Sequence, residues 1–149
     1  MSAATPIRAS SFKERSINMG GIQRTHLIIG LAALAFFAGT GQYLHFREPA
    51  MESTELGPRM VLRAGHIYLL FSGLLNVVAG LRNERTAGKL SRLGSILLLG
   101  SPVLLAVGFC IEAPRNAVER HMTRAGVFAA VIGVLLQFVA FLAIRRKPA

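Results

Sequence analysis

The sequence predicts an all-α polytopic membrane protein, with four transmembrane helices in an antiparallel bundle and both termini in the cytoplasm. Three observations carry that reading. Apolar residues fill 52% of the 149 positions and charged ones only 16%, whereas a soluble domain is about a quarter charged. Four apolar runs each approach the roughly 20 residues that a helix needs to cross the hydrocarbon core. The basic residues also gather in alternate segments between those runs, as the orientation rule for membrane loops requires.

The chain divides into a basic tail, residues 1–24, and a four-span domain, residues 25–149. The tail is hydroxylated and basic, and is expected to be a disordered cytoplasmic extension. Ala33-Leu34-Ala35 is a weak cleavage pattern, but the apolar run continues past it, which argues against removal of a signal peptide. The first span covers Leu27–Leu44 and the second Val61–Leu81. Pro58 suits the first turn of the second helix, where its missing N–H costs nothing. The third span, Leu93–Ile111, contains Pro102, which should kink it, with Gly100 and Ser101 easing the bend. The fourth covers Ala125–Ile144. Asn116 and Glu119 ahead of it have capping-box spacing, which would start that helix near Ala117. None of the runs alternates with period two, so they read as helices and not as barrel strands. Glu48, Glu52 and Glu55 recur at helical spacing and predict a short surface helix between the first two spans.

Charge sets the expected orientation. With the N-terminus inside, eleven basic residues face the cytoplasm against Glu14 and Glu84, while six basic residues outside nearly balance five glutamates. The location expected from this bias is a bacterial-type cytoplasmic membrane. The net charge of +10 therefore comes from a cytoplasmic rim that meets anionic lipids. Nucleic acid is not an expected partner, because that would need a basic face on a soluble fold.

Helices associate in lipid by close approach through small residues, supplemented by polar side chains. Gly73, Asn76 and Gly80 share a face of the second helix, Ala35 and Gly39 lie four apart on the first, and Gly126, Ala130, Gly133 and Gln137 form a strip on the fourth. Asn76 and Gln137 lie at comparable depth. They are expected to hydrogen-bond to each other and fix the docking of helices two and four.

Candidate chemistry rests on three histidines. His45 ends the first helix, His66 follows Arg63 by one turn on the second, and His121 opens the fourth, all on the expected outer side. Imidazoles at one depth, with Glu48, Glu52, Glu112 and Glu119 nearby, are the side chains that would ligate a transition metal or hold a haem b. His26 stands alone at the inner surface. Arg63, Asn76 and Gln137 are read as polar packing or lining residues. The single Cys110 excludes an intramolecular disulfide and a CxxC redox pair. In size the chain is similar to the trimeric membrane glutathione transferases, but its second span lacks an Asn-x-x-Glu pairing. In helix number it is similar to small multidrug transporters, but no acid lies inside a span to couple protons.

The function expected from these features is a structural or accessory role, as an oligomer or as a subunit of a membrane complex, with no catalytic residue and no resident cofactor. Two alternatives stand beside it. One is a haem- or metal-binding redox protein using His66 with His45 or His121. The other is an oligomeric channel or transporter lined by Arg63, His66 and Asn76.

Overall fold

Residues 20–51, 56–82, 88–112 and 120–145 are described by a computed structural model of the chain, and nearly all of them are helical. The helices are α1 (Gly21–Met51), α2 (Leu56–Leu81), α3 (Lys89–Glu112) and α4 (His121–Arg145). Each holds a stretch long and apolar enough to cross a membrane, namely Gly21–Phe46, Met60–Leu81, Lys89–Glu112 and His121–Ala143. At about 1.5 Å per residue these are longer than the roughly 30 Å hydrocarbon core, so their ends reach the interfaces.

The observed helices extend the expected spans by one to several residues at most ends. Pro58 falls in the first turn of α2, as expected. The region around Glu48 continues α1 instead of forming a separate helix, while Glu52 and Glu55 lie outside the described residues. So do the expected capping pair Asn116 and Glu119 and the tail up to residue 19. α3 runs unbroken through Pro102.

Sequential helices pack in pairs. α1 lies along α2 and α3 along α4, α3 joins the two pairs through α2, and α1 and α4 do not meet among the described residues. Facing residues show the directions. His26 is opposite Asn76 and Thr40 opposite His66, so α1 and α2 are antiparallel. Ser95 is opposite Gln137, and Gly108 lies beside Thr123, so α3 and α4 are antiparallel as well.

Small residues set the spacing. A Cβ on Gly30 would lie 2.7 Å from the backbone nitrogen of Val77, and one on Gly94 would lie 2.9 Å from the carbonyl oxygen of Gly133. Backbones this close leave no room for a side chain, which is how helices gain contact in lipid. On α2 the contact face is the expected one, through Gly73 and Gly80. On α1 it is not. Gly39 has nothing near it and Ala35 is exposed; Gly30, Ala33 and Gly41 carry the contact instead.

One end of the array carries Arg24, Arg82, Lys89, Arg92 and the last residue of α4, Arg145. This is the basic end, and the opposite one is the far end. Toward the far end Leu69, Leu105 and Phe109 form an apolar core. There Glu112, at the end of α3, accepts hydrogen bonds from the backbone N–H groups of Met122 (2.6 Å) and Thr123 (3.0 Å) and from the Thr123 hydroxyl (2.7 Å). A carboxylate thus satisfies donors that every helix N-terminus leaves open, and its charge complements the helix dipole.

Candidate functional site

Proline has no N–H and cannot bond to the carbonyl four residues earlier. In α3 that carbonyl belongs to Leu98. It accepts instead from Asn76 Nδ2 on α2 at 2.8 Å and from Ser101 Oγ at 3.0 Å. Asn76 Nδ2 also donates to the Ser72 carbonyl at 3.0 Å. Both amide hydrogens are then used on carbonyls, so Asn76 Oδ1 must be the atom facing His26 Nδ1, 2.8 Å away on α1. An amide oxygen only accepts, so His26 carries its proton on Nδ1 and donates it. Ser101 already donates to Leu98, so the 2.6 Å contact between the Ser72 and Ser101 hydroxyls has Ser72 as donor. Three helices are thereby locked around one carbonyl.

This assignment leaves His26 Nε2 with a lone pair. His26 is 2% exposed and Asn76 fully buried. Nε2 has no hydrogen-bond partner, a condition it shares among the described residues only with Arg120 Nε. Buried polar atoms are nearly always paired, so each exception needs an explanation. Fixing the proton on Nδ1 through a second residue is also how proteins prepare the other ring nitrogen to accept a proton or a metal.

Beside His26 lies a cavity of about 630 Å³ at the basic end, lined by residues of all four helices. Its polar wall includes Ser91, Ser95 and Gln137, and Arg82 and Arg92 also border it. Gln137 of α4 donates to the Ser91 carbonyl (3.1 Å) and to Ser95 Oγ (2.7 Å), clamping the first turns of α3. Gln23 does similar work on the other side. Its amide donates to the Arg82 carbonyl at 2.6 Å, satisfying the end of α2, and its oxygen accepts from Gly20 N at 2.9 Å, as in a capping box.

The residues singled out in the sequence occupy different places. His66 is half-buried, stacked on Phe37 with 4.0 Å between ring centroids, and lies 3.0 Å from Thr40 Oγ1. It docks α2 on α1. His45 is exposed beside Phe46, and His121 is exposed as the first residue of α4. Arg63 is exposed on the second turn of the second span, toward the far end. Among the described residues no group of three or more His, Cys, Asp or Glu side chains is placed to hold a metal ion. Glu112 is engaged on α4, and the side chains of Glu48, Glu52 and Glu119 lie outside the described ones.

Two expectations are corrected. Asn76 and Gln137 do not bond to each other, because each meets a nearer acceptor on α3: Asn76 the carbonyl freed by Pro102, Gln137 the first turn at Ser91. His26 is not an isolated interfacial ring but the buried partner of Asn76. A signal for it was present in the sequence. His26 lies five residues inside one end of α1 and Asn76 five residues inside the adjoining end of α2, so two polar groups share one depth. Comparison with known proteins adds nothing to this geometry: no family model, curated protein or solved structure matches the chain significantly.

Proposed function

We propose that the four helices form one antiparallel bundle in a bacterial-type cytoplasmic membrane, with both termini on the cytoplasmic side. In this reading the protein is a structural or accessory component, acting as an oligomer or as a subunit of a membrane complex. The supporting observation is how the interior polar side chains are used. Asn76, Gln137, Gln23 and Glu112 each bond to a neighbouring helix, and so hold the spans in place. The outward faces carry Phe71, Phe128, Phe138 and many aliphatic side chains, a surface suited to lipid or to another subunit. The basic end would face the cytoplasm and its anionic headgroups.

Two measurements test this. Native mass spectrometry of the protein extracted with its surrounding lipid should give a particle heavier than the 16.0 kDa chain, as a multiple of that mass or with a companion polypeptide. A uniform single-chain particle would overturn the assembly. Alkaline phosphatase fused at the C-terminus should be inactive, and an active fusion would reverse the orientation.

A further inference from the structure

Nearly every serine and threonine hydroxyl of the helices has an acceptor for its hydrogen. Thr25, Thr40 and Ser101 donate to carbonyls of their own helix, Ser72 donates to Ser101, Ser91 to Gln137 and Thr123 to Glu112. Among the serines and threonines of the described residues, Ser95 alone donates to no protein group. It is 5% exposed, lies on the wall of the cavity at the basic end, and accepts from Gln137 Nε2 at 2.7 Å. We propose that this cavity binds a neutral, membrane-dissolved compound whose carbonyl oxygen accepts a hydrogen bond from Ser95 Oγ.

A serine inside a helix ordinarily gives its hydrogen to the carbonyl three or four residues earlier. For Ser95 the carbonyl four back is that of Ser91, which already accepts from Gln137 of α4 at 3.1 Å. Gln137 thus holds both the acceptor that Ser95 would use and the Ser95 oxygen itself, and leaves the hydroxyl hydrogen unspent. A buried donor of this kind calls for an acceptor. A carbonyl supplies one without adding a hydrogen that needs a partner of its own. Neutrality follows from the rest of the wall. Leu75, Ala79, Leu98 and Val134 are apolar, the unpaired nitrogen of His26 has no accessible surface, and the Arg82 guanidinium lies 5.2 Å from the ring centre of Phe141. Arg92 borders the cavity, but it is exposed and sits three residues nearer the start of α3 than Ser95.

The way in is from the bilayer. α1 and α4 do not meet among the described residues, and both contribute to the cavity wall. Ile22 of α1 and Phe138 of α4 lie on that wall and are also exposed on the outer surface, so the cavity opens sideways between the two helices. At about 1.5 Å per residue, Ser95 is roughly 9 Å inside the start of α3. That is the depth of the upper acyl chains, where an apolar compound with a single polar atom dissolves. The volume of about 630 Å³ is within the range of small-ligand sites, which are likewise mostly apolar with a few placed polar groups.

Three probes of one chain length separate the parts of the proposal: undecyl methyl ketone, the alcohol formed by reducing it, and tridecane. Each is offered in equal amount to delipidated protein in dodecyl maltoside and read by native mass spectrometry. The ketone should be retained about fivefold better than the alkane, the worth of about one hydrogen bond, and better than the alcohol. Ser95→Ala should bring ketone and alkane level, and Ala79→Phe, which fills the cavity, should remove both. With carbon-13 in the carbonyl, the infrared stretching band of the bound ketone should lie below its position in the micelle, a shift lost in Ser95→Ala. Thermal unfolding in the same detergent shows whether the variants are folded. If they are not, the band and the three-probe comparison on the unaltered protein decide. Equal retention of ketone and alkane would overturn the proposal, as would an alcohol retained better than the ketone. Tridecanoate retained best of all and lost in Arg92→Gln would assign the site to an anion and overturn it. Displacement of the ketone by dioleoylphosphatidylcholine would assign it to a bilayer lipid, with the same result.

Discussion

Toward the far end Leu69, Leu105 and Phe109 pack against Phe37, Leu44, Leu62 and Val127, while toward the basic end the same helices meet through His26, Asn76, Ser72, Ser101 and Gln137. The apolar core of the far half is held by shape, and many apolar side chains of similar volume would fill it, with directed bonds only at its margins, at Glu112 and His66. The basic half is held by donors and acceptors with fixed directions, so it specifies which residues face each other. Lipid is as apolar as leucine, and apolar contact between helices gains little from leaving it. Hydrogen bonds and close backbone approach therefore carry the register, and a cavity survives where they leave a gap.

Substitutions in the two halves should separate these contributions. Leu105→Ala leaves a cavity in the far core and should cost about 2 kcal/mol of stability, the cavity part of the usual loss, measured by unfolding in mixed micelles. A loss under about 1 kcal/mol would mean that the neighbours collapse into the space. Asn76→Leu keeps the branched shape but leaves the His26 N–H without its acceptor and removes one donor from the Leu98 carbonyl. It should cost about 2 kcal/mol.

That second effect can be sharpened. Pro102→Ala restores the backbone N–H that belongs to the Leu98 carbonyl, so in this background Asn76→Leu should cost about 1 kcal/mol less. Additive losses would show that Asn76 does not depend on the proline. At the far end Glu112→Gln replaces an acceptor of three hydrogen bonds by an amide with one acceptor oxygen. About 1 kcal/mol should be lost, with hydrogen exchange rising first at Met122 and Thr123. The smallest effect is expected at Gly39, where a methyl group meets nothing. Gly39→Ala should be neutral or stabilising by up to about 1 kcal/mol, whereas Gly30→Ala should part α1 from α2.

The spans were legible because length and apolarity are properties of a segment, and lipid imposes both on each segment separately. The small-residue face of α2 was legible for the same reason. Pairings between helices were harder. Asn76 and Gln137 are the deep amides of the spans, and sequence alone joined them; in the structure both turn to backbone carbonyls, which every residue has and no composition marks. In sequence Pro102 reads as a bend. Its larger effect is on hydrogen bonding, and finding that needed the step from the missing N–H to the carbonyl four residues before it. In the sequence three histidines gather at the far end, and they draw the candidate site there. His26 carries no local mark of its role, since its partner is fifty residues away.

The Leu98 carbonyl also has a consequence for biosynthesis. Spans are made in order from the N-terminus, so α2 and its Asn76 donor precede α3 into the membrane. When α3 emerges, its open acceptor is screened by Ser101 on the same helix, and a donor already stands at the matching depth. A chain beginning after α2 would release the same acceptor into lipid with only the serine to cover it. The proline thus leaves the third span with an acceptor that a helix made before it completes.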